Sequence, residues 1–184
     1  MKALSTFFYQ FSNWKTLLLL LVLYIVFPAY FLKNAEIRMN HLSGKTLGPI
    51  DLTIGFTPSR TLQMVEEYGD AARAFYATIE MTTDVVYPIV YSCLFAVILS
   101  LLYYRKSYAP FAYVNLFPFV SLVFDYLENI TIVTMLKSYP EQSMTVASFC
   151  EIFKMIKWFS VVVTVLIIIY GLLKSLKMPK DLKA

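Results

Sequence analysis

Four apolar runs, at about 16–32, 79–104, 108–136 and 149–173, constrain this chain more than any other feature. A helix of about 20 residues crosses the roughly 30 Å hydrocarbon layer of a bilayer, and each run reaches or approaches that length. Inside lipid every backbone N–H and C=O needs a partner within the protein, so runs of this kind fold as helices. The expectation is an all-α protein, a four-helix transmembrane bundle forming one integral membrane domain over residues 1–184. Its composition agrees. Hydrophobic residues make up 59% and charged residues 15%, against about 25% charged in soluble domains, and mean hydropathy is +0.63.

The net charge of +4 does not point to nucleic acid. The basic residues gather at the ends of the apolar runs, where membrane topology puts them. Lys2 and Lys15, then Arg105 and Lys106, then Lys174, Lys177, Lys180 and Lys183 fall on one side of a four-span arrangement. By the positive-inside rule both termini are cytoplasmic, in a multi-pass protein of the cell membrane, and segment 34–70 lies outside. The lipid bilayer is thus the required partner. His41 is a single histidine, Cys93 and Cys150 have no paired spacing, and no glycine loop could cradle a phosphate. No metal site and no cofactor is expected.

Taken in order, Met1 to Trp14 is short and aromatic, an interfacial anchor. The first span begins near Thr16 and is bent or ended near Pro28. Segment 34–70 is too long for a bare loop and should carry structure of its own. Ile50, Leu52, Ile54 and Phe56 alternate with other residues, as in an extended segment lying on an apolar surface. Thr57-Pro58 reads as an N-cap with proline at the first helical position, opening a short helix over Arg60 to Tyr68. Gly69 ends it. Asp70 is placed to cap a helix that runs on unbroken into the second span, which Pro88 would kink. The turn around Arg105-Lys106 makes spans two and three antiparallel neighbours.

Three spans carry polar stripes. Glu80, Asp84, Tyr87 and Tyr91 follow at intervals of four, three and four, one face of a helix. In the third span Asn115, Ser121, Asp125, Glu128 and Asn129 do the same, and in the fourth Lys154, Lys157, Ser160 and Thr164. At about 1.5 Å rise per residue, Asp125 lies roughly 22 Å from the inner boundary, and Asp84 and Lys157 roughly 7 and 6 Å below the outer one. Three helices therefore bring charge to one level. Intramembrane ionisable residues face the bundle interior and mark functional sites by default.

The candidate cluster is Glu80, Asp84, Tyr87, Tyr91, Asp125, Glu128, Asn129, Lys154 and Lys157. Three readings fit it. As scaffold, Lys157 pairs with Asp125 or Glu128 and fixes helix register. As a binding or transport site, the carboxylates outnumber Lys154 and Lys157 and suit a proton, a cation or a small cationic or amphipathic ligand, with Tyr87, Tyr91 and Tyr126 lining a pocket. As a membrane-embedded acid/base enzyme, one carboxyl donates and another accepts a proton, with no nucleophile motif to support it. An open cavity at the Asp84–Asp125 level favours binding or catalysis; tight packing favours scaffold.

The succession Asp51, Gly55-Phe56-Thr57-Pro58, Tyr68-Gly69, Ala74-Phe75-Tyr76, Asp84, Tyr87-Pro88 and Tyr91, followed by Phe124-Asp125-Tyr126-Leu127-Glu128-Asn129 and Lys157-Trp158, resembles a group of small bacterial four-helix integral membrane proteins. The resemblance covers about Asp51 to Trp158, and the Asp-Tyr-Leu-Glu-Asn element is its most distinctive part. It implies the four-helix architecture and singles out Asp84, Asp125, Glu128, Asn129 and Lys157. The group has no assigned activity, so no function comes with it.

Overall fold

A computed structural model describes residues 1–53, 55, 57–104 and 108–177. The protein is all-helical, with 84% helix and no strand among the described residues. Four helical stretches are long and apolar enough to cross a membrane: Trp14–Ser43, Gly69–Tyr103, Val114–Ser138 and Met144–Leu176. This is the architecture expected from the apolar runs. Ile54, Phe56, Arg105, Lys106, Lys180 and Lys183, which entered the readings above, lie outside the described residues.

Helix α1 (Lys2–Phe11) turns one face inward, burying Ser5 and Phe8. Asn13 then caps α2 (Trp14–Val26), its side chain accepting from Lys15 N and Thr16 N. The first span does not stop at Pro28. A proline inside an α-helix deprives the carbonyl four residues back of its donor. Here the chain widens into a π-helical turn, Phe27–Leu32, and continues as α3 (Lys33–Ser43). Gly44, at φ +67°, ends α3 in the left-handed conformation that glycine adopts without strain.

The chain between α3 and α5 folds as a cap over one end of the bundle. Ile50–Leu52 is a single 3-10 turn rather than an extended stretch. Thr57 caps α4 (Pro58–Glu67), its hydroxyl accepting from Arg60 N, with Pro58 at the first helical position. Gly69, at φ +72°, separates α4 from α5 (Gly69–Glu80). Asp70 makes no side-chain cap; it pairs with Arg73 one turn on. Ile50, Leu62, Met64, Val65, Tyr68 and Tyr76 form one apolar core with Ile132, Met135 and Cys150 from the bundle. The cap is therefore seated on the bundle through shared burial, the dominant favourable contribution in such packing.

The second span is not one unbroken helix. It parts at Met81-Thr82 into α5 and α6 (Thr83–Tyr103). At the break Thr82 Oγ1 donates to Thr78 O at 2.6 Å. A single 3-10 turn (Val114–Leu116) leads to α7 (Pro118–Ser138), and α8 (Met144–Lys177) closes the bundle. Helices α6, α7 and α8 pack on one another, α1 and α2 lie against α6, α3 lies against α5, and α4 lies against α8. The flanks of α8 expose Met155, Phe159, Val162 and Leu166, as a lipid-facing helix does.

A candidate binding cavity inside the bundle

The polar stripes meet, and their convergence begins with Pro88. Proline cannot donate to the carbonyl of residue 84, and its ring crowds that carbonyl. Helix α6 runs through Pro88 all the same, and α7 supplies the missing donor. Asn129 Nδ2 donates to Asp84 O at 3.3 Å and to Asp84 Oδ2 at 2.9 Å. Tyr126 OH donates to Val85 O at 2.8 Å. Membrane helices tolerate proline where a neighbour satisfies the freed backbone in this way. Tyr126 thus serves the α6 backbone rather than lining the cavity.

The ion pair lies next to this junction. Lys157 Nζ is 2.5 Å from Glu128 Oε2 and 3.8 Å from Asp125 Oδ2. Tyr91 OH donates to Asp125 Oδ2 at 2.9 Å. Asp84, Asp125, Glu128, Asn129 and Lys157 are all buried. Lys157 therefore touches both acids named from the sequence, and Asp84 is bonded to Asn129 of α7 rather than to the lysine.

Lys154 is a different matter. It shares the stripe of Lys157 but lies outside the cluster. Its ammonium donates to Glu151 Oε1 at 2.8 Å and to Thr53 Oγ1 at 3.3 Å, and Thr61 Oγ1 of α4 donates to the same Glu151 oxygen at 2.6 Å. One helical turn nearer the cap, α8 faces α4 and the residue 50–53 turn, so Lys154 ties the cap to the bundle. Asn115 is likewise elsewhere. At the opposite end it donates to Ser5 O and Ser100 Oγ and accepts from Ser5 Oγ, fastening α1 to the bundle.

A cavity of about 380 Å³ opens beside the cluster. Glu80, Asp84, Tyr87 and Tyr91 line it, so the stripe holds its face despite the helix break. Asp125 and Lys157 reach it from α7 and α8, while Glu128 stands behind Lys157, outside the lining. Tyr24, Pro28 and Leu32 form the α2 side, and Trp158 and Val161 the α8 side. Phe95 is its deepest residue on α6; beyond it the packed side chains of Leu99, Tyr103 and Val114 fill the interior.

Asp51 is a lining residue that the stripes do not include. It reaches the cavity from the 3-10 turn, accepting from Tyr76 OH at 3.1 Å, and its carbonyl accepts from Trp158 Nε1 at 3.4 Å. Helical spacing says nothing of a loop aspartate. The Asp51–Gly55–Phe56 string of the resemblance was the available signal.

The charge inside is unbalanced. Asp51, Glu80, Asp84 and Asp125 face the cavity; against them stand Lys157 and, at the rim, Lys33, which is paired with Glu36 at 2.9 Å. Of the carboxylates that line the cavity, Glu80 Oε2 and Asp125 Oδ1 are buried without a hydrogen-bond partner, as is Glu128 Oε1 behind Lys157. Glu80 is 2% and Asp125 6% exposed. A buried carboxylate without a partner is costly, and it stays ionised only if a cation or donor arrives. No protein-family model, no curated protein and no solved structure matches the chain.

Proposed function

We propose that this multi-pass membrane protein binds a small, partly apolar cation in the cavity between α2, α5, α6 and α8. One observation carries the reading. A cavity of about 380 Å³ stands beside buried, unpartnered carboxylate oxygens whose charge exceeds that of the ammonium groups facing them. Small-molecule sites are concave, largely apolar and about 300–1,000 Å³, with a few convergent polar groups. A network serving register alone would be packed shut. The scaffold reading keeps the Lys157–Glu128 pair, whose Glu128 lies behind the lining and which joins α7 to α8. Glu80, Asp84 and Asp125 supply the countercharge to the ligand, and Tyr87 and Tyr91 offer ring faces to a cation. Packed side chains beyond Phe95 favour a binding site over an open conducting path. In the orientation that goes with this reading, both termini are cytoplasmic and the cap is extracytoplasmic.

The test uses the full chain in lipid nanodiscs with Trp14→Phe, which leaves Trp158 in the cavity wall as its single tryptophan. n-Butylammonium should change Trp158 fluorescence saturably, whereas n-butanol, similar in size and neutral, should not. Asp84→Asn with Glu80→Gln should weaken the response at least tenfold. Equal responses to amine and alcohol, or none to the amine, would overturn the reading.

A further inference from the structure

Met39, Pro49 and Leu52 line the cap side of the cavity, where Lys33 and Glu36 stand at the rim, and Phe95 lies at its deep end with the packed interior beyond. A second direction is sideways. Helix α2 lies against α6, through Tyr24 and Phe27 stacked on Tyr87 at 6.0 and 6.1 Å. It buries none of its own residues. Yet α2 and α8 both line the cavity, which therefore lies between them. The π-helical turn at Phe27–Leu32 is level with this gap, since Pro28 and Leu32 are part of the lining. Such turns mark places where a helix departs from regular packing, frequently at functional sites.

Polarity runs across the gap. Carboxylates stand on the inner side, at Glu80, Asp84 and Asp125, and aromatic and aliphatic groups on the bilayer side. Through this gap a water-soluble ion would meet the apolar side first. A molecule already dissolved in the bilayer would arrive there at no hydrophobic cost and find its countercharge within.

Building on the cation-binding reading, we propose that the cavity is entered laterally from the bilayer between α2 and α8. Its occupant is a single-chain alkylammonium amphiphile, with its head at Asp84 and Asp125 and its tail passing out beside Tyr24 and Val161. The excess of carboxylates over ammonium groups suits an ammonium head, the lining carboxylates Asp84 and Asp125 face it with Glu80 alongside, and the apolar bilayer-side lining accommodates the chain.

The experiment compares n-butyl-, n-octyl- and n-dodecylammonium in the same single-tryptophan nanodiscs, before and after Val161→Phe, which narrows the gap on the α8 side. Referred to free aqueous concentration, affinity should rise about fourfold per added methylene through dodecyl, because the tail remains in an apolar medium throughout. Referred to mole fraction in the lipid, it should be nearly constant. Val161→Phe should lower dodecylammonium affinity at least tenfold more than it lowers butylammonium affinity. If affinity stops rising once the chain fills the cavity, or if Val161→Phe weakens both amines equally or neither, lateral entry is wrong while butylammonium binding still supports the site. If butylammonium fails against butanol, the site itself is wrong and the lateral proposal falls with it.

Discussion

Lys157→Met tests how α7 and α8 are held together. The ammonium is 7% exposed and its closer partner, Glu128, is fully buried at 2.5 Å; Asp125 is a second partner at 3.8 Å. Removing the lysine leaves two carboxylates facing each other with no cation. Breaking a buried pair from one side costs about 3–5 kcal/mol. For a domain of this size, 3 kcal/mol corresponds to a fall in Tm of roughly 6–12 °C. Glu128→Leu alone should cost less, because Asp125 remains to receive the ammonium. Combined with Glu128→Leu, Lys157→Met should recover about 2–3 kcal/mol relative to the sum of the single changes, since the pair is replaced by apolar groups. Thermal unfolding of the four proteins in one detergent, followed by intrinsic fluorescence, completes the cycle. If Lys157→Met costs under about 1 kcal/mol, or if the two changes simply add, the pair does not hold the helices.

Two further predictions concern packing and orientation. Gly171→Ala would place a Cβ 2.9 Å from Cζ and Oη of Tyr103, whose hydroxyl donates to Ile167 O; this overpacking should cost about 1–3 kcal/mol in thermal unfolding, and an unchanged Tm would show that α6 and α8 do not meet there. Phosphatase fusions at each terminus and between Gly44 and Gly48 should be active at the internal site alone, and activity at the C-terminus would overturn the cytoplasmic assignment.

Spacing alone revealed the spans, the Thr57-Pro58 helix start and the shared face of Asp84, Asp125 and Lys157, because lipid imposes helices and helices impose a period. It could not reveal the break at Met81-Thr82, where Thr82 is drawn to the carbonyl of Thr78. Nor could it show that α3 prolongs the first span, since a proline in a sequence indicates that something yields without saying whether the helix stops or widens.

Pro88 and Lys154 mark where periodicity ceases to decide. Pro88 signals a kink when read alone. With α7 alongside, its freed carbonyl at residue 84 accepts from Asn129, the neighbouring Val85 carbonyl accepts from Tyr126, and the same contacts set Asp84 at the cavity wall. The Asp-Tyr-Leu-Glu-Asn element is thus partly an answer to a proline on another helix. Lys154 and Lys157, three residues apart, share a face and a burial. What separates them is their partners, Glu151 one turn back on α8 and a cap threonine for one and the α7 acids for the other. A stripe specifies a direction and a depth. The chemistry of each residue on it is settled by whichever chain arrives there, and for Lys154 that chain was the connection whose fold no period describes.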